Sequence, residues 1–302
     1  MTASTLTLTP RPSGRGVGAN AETPSLRFLL GTHLPGWLAR TTPNGPVPWF
    51  VSDTRLRGYK TLPRAANPWG CDSGGFSELQ RHGAWTVTPA AYAARVRRYR
   101  DEIGQLIWAA PQDWMCEPTI IDGGTLHGLR FAGTHLSVAE HQRRTVLNYA
   151  QLRELAPELP FIPVVQGDTP DAYVRCVDLY QTLIGVDLTR EPLVGVGSVC
   201  RLQGTAAAGR ILTTLHACGI RRLHGFGFKT LGLIAHGHLL TSADSLAWSF
   251  DARRRRQPLP GCAGHKNCAN CLRYALTWRT NLLHSLSTTR RHPTLFDLET
   301  VA

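Results

Sequence analysis

The stretch FIPVVQGDTPDAYVRCVDLYQTLIGVDLTREPLVGVGSV, residues 161–199, contains the pattern that decides the fold. It opens with a short apolar run, Phe161–Gly167, and closes with another, Leu193–Val199. The segment between them, Thr169–Leu183, fits an amphipathic helix. Two short and nearly continuous apolar runs on either side of a helix indicate parallel strands that are covered on both faces.

The same alternation continues along the chain. Thr88 and the following proline start a helix that runs to Gly104, and Ser137–Leu155 begins with Ser137 and Glu140 at capping-box spacing. Thr205–Cys218 also fits a helix. Six further strand-like runs are Arg27–His33, Pro48–Asp53, Trp69–Asp72, Leu106–Asp113, Arg222–Phe228 and Asp244–Ser249. Eight strands with helices between most of them predict an α/β fold, a (β/α)8 TIM-like barrel. An open doubly wound sheet is the alternative, although neither glycine-rich phosphate motif that often accompanies it occurs.

The composition describes a basic globular chain of 302 residues with a net charge of +12. Its 42% hydrophobic and 18% charged residues suffice for one large core and exclude wholesale disorder. No run approaches the ~18 uninterrupted apolar residues of a membrane span, so we expect no membrane partner. Nearly all the cations are arginines, which suit bidentate phosphate contacts, and nucleic acid is the expected partner. A coding bias towards arginine is the alternative explanation.

Eight cysteines occur, five scattered singly and three clustered near the C-terminus. Since no apolar signal region precedes them, they indicate a reducing cytoplasm with isolated thiols and one metal site, not a disulfide framework. We therefore expect a cytoplasmic protein in four parts. They are a disordered leader (1–25), a catalytic barrel (26–252), a basic loop with the metal motif and a helix (253–287), and a flexible tail (288–302).

Polar residues lie at the carboxyl ends of several predicted strands. Asp72 ends Trp-Gly-Cys-Asp, Asp113 ends the run that starts at Leu106, and Gln166 ends Pro-Val-Val-Gln. Asp244 lies in Ser-Ala-Asp-Ser. In a barrel these ends converge on one mouth, where three carboxylates and a carboxamide suit a nucleophile, an acid/base group and a reader of a polar ring. Each Asp could instead be a helix N-cap or a turn former.

These motifs resemble a known family. Asp72-Ser-Gly-Gly-Phe76, Pro163-Val-Val-Gln-Gly167, Gly195-Val-Gly-Ser198, Leu223-His-Gly-Phe-Gly227 and Ser242-Ala-Asp-Ser245 occur in the order found in tRNA-guanine transglycosylases, with a cysteine-rich zinc site after them. The resemblance covers about residues 27 to 285. It implies a (β/α)8 barrel that exchanges guanine in a polynucleotide for a 7-deazaguanine base.

The resemblance also implies roles for single residues. Asp244 is similar to the nucleophile that attacks the ribosyl C1′, and Asp72 is similar to the acid/base aspartate next to the base. Ser73, beside Asp72, is a predicted substrate-binding residue. Asp113 is similar to the aspartate that reads the N1/N2 edge of guanine. The remaining predicted contacts are Gln166 and a backbone N–H of Gly195–Gly197 to O6, with Phe76 and His224 stacking on the two faces of the base.

Several departures bear on the substrate. The Pro-Thr-Arg element that follows the nucleophile of bacterial tRNA enzymes is replaced here by Ala247-Trp-Ser-Phe-Asp-Ala-Arg253. The opening Leu29-Leu-Gly-Thr-His-Leu-Pro-Gly-Trp37 and the element around Asp244 are most similar to the DNA 7-deazaguanine transglycosylase (DpdA-like) branch, found in phages and bacterial modification clusters. The resemblance therefore implies DNA, a base such as 7-cyano-7-deazaguanine, and partner proteins of a modification system. Exchange in tRNA and an inactive zinc-containing nucleic-acid-binding homologue remain the alternatives.

The metal motif is Cys262-x2-His265-x2-Cys268-x2-Cys271, whose ligand types and spacing predict a closed structural Zn²⁺ site. The tRNA enzymes take their histidine from a later helix, which makes His284 the alternative to His265. Leu272–Leu286 reads as one helix, and at ~1.5 Å per residue His284 would lie about 20 Å from the cysteines.

Four consecutive arginines, Arg253, Arg254, Arg255 and Arg256, follow the predicted nucleophile strand. They predict a phosphate clamp near the mouth of the barrel. A solvated loop is the alternative.

Overall fold

The computed structural model describes residues 26–42, 45–200, 202, 204–255, 257–262 and 264–291. The predicted leader, residues 292–302 of the predicted tail, and Arg256 lie outside the described residues.

The described chain contains ten strands. In chain order they are β1 (Arg27–Gly31), β2 (Trp49–Ser52), β3 (Trp69–Asp72), β4 (Leu106–Ala109), β5 (Gly124–Leu126), β6 (Leu129–Phe131), β7 (Val164–Val165), β8 (Val194–Val196), β9 (Leu223–Gly225) and β10 (Ser242–Ser245). Eight of them form one parallel sheet in the order β4-β3-β2-β1-β10-β9-β8-β7. The other two, β5 and β6, form an antiparallel hairpin.

The sheet curls until its two edges meet. Ala109, the last residue of β4, forms a parallel bridge with Phe161 in the segment that leads into β7. Ala109 N donates to Pro160 O at 3.0 Å, and Ile162 N donates to Ala109 O at 3.1 Å. The predicted α/β, TIM-like architecture is confirmed, and the carboxyl ends of its strands share one mouth.

Ten helices are described, and most of the longer ones pack outside the strands. They are α1 (Asp53–Leu56), α2 (Gly75–His82), α3 (Pro89–Ile103), α4 (Pro118–Asp122), α5 (Val138–Leu155), α6 (Pro170–Ile184), α7 (Ala206–Ala217), α8 (Thr230–His236), α9 (Ala247–Arg255) and α10 (Leu272–Arg291). The predicted N-caps are confirmed, because Thr88 and Ser137 accept hydrogen bonds from the backbone N–H groups of Ala91 and Glu140, both at 3.2 Å. None of the described helices is both long and apolar enough to span a membrane.

The described core has three apolar clusters, one of which lies around α2, α4 and β6 and consists of Leu79, Trp114, Ile120 and Phe131. A large cluster fills the space between strands and helices, and Trp49, Trp69 and Trp248 are fully buried. A smaller cluster of Leu29, Phe50, Trp108 and Ile162 fills the barrel interior below the mouth. Strands that are buried on both sides need apolar residues at successive positions, which explains the continuous runs in the sequence.

Three elements differ from the prediction. The run Asp244–Ser249 is not one strand, because β10 ends at Ser245 and α9 begins at Ala247, whose N–H donates to Ser245 Oγ at 3.2 Å. The hairpin of β5 and β6 is an insertion that packs on α2. Helix α10 continues to Arg291, so residues 288–291, predicted as flexible tail, are helical.

Candidate active site

A cavity of about 440 Å³ opens at the mouth of the barrel. It brings together six of the residues that the sequence predicts for the site: Asp72, Phe76, Asp113, Gly197, Asp244 and Arg253. They come from β3, β4, β8 and β10 or from the segments that follow these strands. The volume suits a small ligand such as a purine base.

Asp72 is the last residue of β3 and lines the cavity. Burial and, to a smaller extent, the nearby charge of Asp244 raise the pKa of its carboxyl group to about 6. Hydrogen bonds from the Ser52 side chain and the Gly74 backbone oppose this shift. A carboxyl group with such a pKa can both give and accept a proton near neutral pH.

Asp113 follows β4 and is held by two side chains. Ser73 Oγ donates to Asp113 Oδ1 at 3.4 Å, and Gln166 Nε2 donates to Oδ2. Burial raises the pKa of Asp113 to about 7, with the charge of Asp72 as the second cause. The Asp113 carboxyl group therefore faces the cavity in a fixed orientation.

Gln166 lies behind Asp113 and is fully buried. Its Nε2 donates to Asp113, and its Oε1 accepts from Ser198 Oγ at 2.5 Å. Both ends of the carboxamide have partners inside the protein, Gln166 is not among the residues that line the cavity, and its predicted contact with O6 of a base stays a prediction. The structure makes Gln166 a support of Asp113.

The predicted backbone donors of the Gly195–Gly197 turn are also occupied. Gly195 N donates to Pro163 O at 2.8 Å, and Gly197 N donates to Val165 O at 3.0 Å, both within the sheet. What the two glycines provide is space. A Cβ atom at residue 195 would overlap the ring of Phe226, and one at residue 197 would overlap the Gln166 carboxamide.

Asp244 lies in β10, beside Leu29 of β1, and only 6% of its surface is exposed. Its Oδ1 accepts a hydrogen bond from Gly227 N at 2.9 Å and lies 3.3 Å from His224 Nε2. The carboxylate is thus oriented by the loop after β9 while it lines the cavity.

His224 is not a wall of the cavity, contrary to the prediction that it stacks on a base. It is fully buried in the barrel interior, with ring centroids 4.6 Å from Trp108 and 4.7 Å from Phe226. Its Nδ1 lies 2.8 Å from Ser242 Oγ. The aromatic side chain that lines the cavity from this loop is Phe226, two residues later.

Sequence reasoning missed several residues of the cavity, among them Phe226, Ser198, Ser52, Arg55 and His33. Their positions in the sequence could have indicated them, because each lies within the last three residues of a predicted strand or just after it, on the mouth side. Phe76, by contrast, was predicted and lines the cavity with 38% of its surface exposed. Its ring packs edge-on against Phe131 of the inserted hairpin, at a centroid distance of 5.9 Å.

Three of the four consecutive arginines, Arg253, Arg254 and Arg255, form the last turn of α9, and Arg256 lies outside the described residues. Successive residues of a helix point about 100° apart, so the arginines face different directions. Arg253 lines the cavity and donates to Ser249 Oγ at 3.3 Å. Arg254 lies over the Phe250 ring, 5.8 Å from its centroid, and Arg255 pairs with Asp251 at 3.1 Å. Of the three described arginines, Arg253 alone lines the cavity, and the predicted phosphate clamp stays a prediction.

The predicted metal ligands form a compact cluster. The donor atoms of Cys262, His265, Cys268 and Cys271 all lie within 4.8 Å of one another. Cys262 Sγ and Cys271 Sγ are 3.9 Å apart, close to the ~3.8 Å edge of a tetrahedron with ~2.3 Å metal–sulfur bonds. His265 Nε2 lies 3.2 Å from Cys268 Sγ, whereas His284, the alternative ligand, is not a member of the cluster. These four residues could hold a metal ion.

The chain matches the family DpdA, DeoxyPurine in DNA protein A, over residues 25–300. It belongs to this family. The match includes the barrel, the three aspartates of the cavity and the metal cluster, so the DNA branch of the resemblance is confirmed. No curated protein matches the chain.

Membership in the DpdA family implies an enzyme of the transglycosylase type with DNA as its substrate. Three carboxylates around one base-sized cavity fit this class, since breaking and remaking a glycosidic bond needs both a nucleophile and a proton carrier.

Proposed function

We propose that this DpdA-family protein exchanges guanine in DNA for a 7-deazaguanine, such as 7-cyano-7-deazaguanine, through a covalent aspartyl intermediate. The observation that carries the proposal is the position of Asp72, Asp113 and Asp244 around one cavity. Because the target atoms are inaccessible inside a duplex, the deoxyguanosine must be extruded or already unpaired.

Asp113 reads the base. Its carboxylate accepts from the N1–H and the exocyclic amine of guanine, two adjacent donors that adenine lacks at this edge. Ser73 and Gln166 hold the carboxyl group in one orientation for this contact. Phe76 and Phe226, which both line the cavity, supply apolar surface for the ring.

The exchange takes two displacements. In the first, a carboxylate oxygen of Asp244 bonds to C1′ as the C1′–N9 bond breaks, and the departing guanine takes the proton of Asp72. In the second, the Asp72 carboxylate removes the proton from the corresponding ring nitrogen of the incoming 7-deazaguanine. That nitrogen then bonds to C1′, and Asp244 leaves as a carboxylate. The pKa of Asp72, about 6, suits both directions of proton transfer.

The orientation of Asp244 supports its role as nucleophile. Gly227 N–H binds Oδ1, and His224 lies against the same oxygen. We assign the attack on C1′ to Oδ2, because these contacts fix the carboxylate through its other oxygen.

The metal is proposed to be Zn²⁺ with a structural role. Three thiolates and one imidazole form a closed set of soft ligands that Zn²⁺ prefers in tetrahedral sites. Leu259 N donates to Cys268 Sγ at 3.3 Å, as suits a thiolate ligand. Bound zinc would cross-link the segment before α10 and contribute folding free energy.

The test is incorporation of labelled guanine into DNA and, in parallel, into tRNA, followed by nucleoside analysis with 7-deazaguanine as the incoming base. We expect label in DNA alone. Asp244→Ala and Asp244→Asn should bind DNA but exchange nothing, and the wild-type protein should form a trappable protein–DNA adduct. Label in tRNA would favour the tRNA activity. The absence of label from both would identify a DNA-binding homologue without exchange activity. Full exchange by Asp244→Ala would refute the assigned nucleophile.

A further inference from the structure

Three basic side chains lie on one side of the cavity mouth: Arg55, His33 and Arg253. Arg55 belongs to α1 after β2, His33 follows β1, and Arg253 belongs to α9 after β10. These strands are neighbours in the sheet, in the order β2-β1-β10. We call the three side chains the basic arc.

The carboxyl group that reads the base in the proposed function, with the side chains behind it, lies on the opposite side. Asp113, Gln166 and Ser198 follow β4, β7 and β8, which are neighbours because the barrel closes between β4 and the segment before β7. Asp72 lies between the two sides, at the end of β3, whereas Asp244 belongs to β10 and lies next to the basic side. The mouth is therefore divided into a base-reading side and a basic side.

The two arginines of the arc carry uncompensated charge. Within the described part of the chain, neither Arg55 nor Arg253 forms an ion pair with a carboxylate. By contrast, Arg255 on the same helix is paired with Asp251. Exposed guanidinium groups at the rim of an acidic cavity favour an anion that lies outside the base pocket, and phosphodiester oxygens match their geometry.

The loop between the predicted ligands Cys268 and Cys271, which we call the metal loop, contacts this side of the mouth directly. Ala269 and Asn270 lie between the predicted ligands Cys268 and Cys271. Asn270 Oδ1 is 2.6 Å from His33 Nε2, and Ala269 O accepts from Ser249 Oγ at 2.8 Å. The Ser249 oxygen in turn accepts from Arg253. Two residues of the arc are thus attached to the metal loop by short chains of hydrogen bonds.

The ring of His33 is fixed from a second direction. It stacks on Trp248, with centroids 6.0 Å apart and planes inclined by 10°. Trp248 is fully buried and donates to Gly31 O at 2.8 Å. His33 is therefore held against the core by Trp248 as well as by Asn270.

We infer that the basic arc binds the DNA phosphates that flank the target nucleotide, and that the metal loop positions it through Asn270 and Ser249. This inference rests on the proposed function for the identity of the polymer. The base enters towards Asp113 while the backbone runs over Arg55 and Arg253.

The first experiment measures DNA binding by fluorescence anisotropy over a range of salt concentrations, with a labelled single-stranded oligonucleotide containing guanine. Each neutralised phosphate contributes roughly 0.7 to the slope of log K against log salt for single strands. Arg55→Gln and Arg253→Gln should each lower the slope by about that amount, and the double variant by about twice as much. Arg254→Gln, on the same helix but outside the cavity lining, is the matched control and should leave the slope unchanged.

An unchanged slope in the double variant would overturn the arc as a phosphate site. An equal loss in Arg254→Gln would overturn its localisation at the cavity. Wild-type exchange of labelled guanine, measured separately, tests the proposed function. DNA binding without exchange would refute that function, whereas exchange with unaffected slopes would refute the arc alone.

The second experiment tests the role of the metal loop with Asn270→Ala, which removes the contact to His33 but no predicted ligand. We expect unchanged metal content by elemental analysis, weaker DNA binding, and an increased KM for DNA with kcat retained. Metal retention with unchanged DNA affinity would overturn the positioning role. If Asn270→Ala loses its metal, His33→Ala serves as a second variant, because it removes the same contact from the cavity side. Unchanged DNA affinity in His33→Ala would also overturn the positioning role of the metal loop.

Discussion

Replacing Asp113 by Asn should stabilise the protein above neutral pH while it abolishes guanine recognition. The fold should tolerate the amide, because its oxygen can accept from Gln166 Nε2 and its NH2 group can donate to Ser73 Oγ. The substitution removes a charge that the folded state holds unfavourably. Burial and the charge of Asp72 raise the pKa of Asp113 from its ordinary value of 3.8 to about 7.

The sign of the effect follows from the direction of this shift. A carboxyl group with a raised pKa in the folded state stabilises the fold below its unfolded pKa, and that stability is lost as the pH rises through the folded pKa. For Asp113 the loss falls between about pH 4 and pH 7. At ~1.4 kcal/mol per pKa unit, ionisation of Asp113 lowers the free energy of unfolding by at most about 4 kcal/mol.

The assay is thermal unfolding of both proteins between pH 4 and pH 8. A chain of this size changes its Tm by roughly 2 °C per kcal/mol, so Asp113→Asn should melt up to about 8 °C higher at pH 8. The difference should vanish near pH 4. Glu140→Gln is a control of opposite sign, since hydrogen bonds from Arg143 and Arg144 lower the pKa of Glu140 to about 2. A Tm difference between Asp113→Asn and wild type that does not change with pH would refute the reasoning.

Three further predictions follow from packing and ligation. Gly195→Ala should push Phe226 into the cavity and weaken binding of the free base, as measured by calorimetry, while circular dichroism shows that the protein stays folded. Unchanged base affinity would contradict this prediction. Gln166→Leu should destabilise the protein by about 1–3 kcal/mol in urea unfolding, because Ser198 loses its acceptor and Asp113 loses a donor. Wild-type stability in this variant would show that the two hydrogen bonds of Gln166 do not stabilise the fold. Cys268→Ser should lose bound metal and stability together, as elemental analysis and Tm would show; a metal-free protein that retains the wild-type Tm would exclude a structural metal.

Much of the fold was predictable because its signals are local. The runs at Trp69–Asp72 and Pro48–Asp53 contain strands β3 and β2, and the caps at Thr88 and Ser137 start helices where expected. The segment after Asp244 was not predictable in the same way. Ala-Trp-Ser-Phe is a short apolar run that suits a strand or a buried helix, and only its packing on α10 and the cap from Ser245 make it a helix.

The site was predictable at the level of residue positions but not of contacts. Position at a strand end placed Asp72, Asp113 and Asp244 at one mouth, since parallel strands share their carboxyl ends. The sequence could not reveal whether a side chain at such an end points into the cavity or into the barrel. His224 and Phe226 are two residues apart in one loop region, and the structure buries the first while it exposes the second to the cavity.

The buried carboxyl groups link stability to the proposed chemistry. The charge of Asp72 raises the cost of ionising Asp113, and the charge of Asp244 raises that of Asp72. The fold would be more stable above neutral pH with an amide at residue 113, as the Asp113→Asn prediction states. Burial, together with the charge of Asp244, raises the pKa of Asp72 to about 6, so a fraction of the group keeps its proton at a pH where an isolated carboxyl group would have lost it. A departing guanine carries electron density at N9, and a carboxylic acid beside it supplies the proton without waiting for solvent. The destabilising arrangement of three acids is therefore the arrangement that the proposed exchange needs.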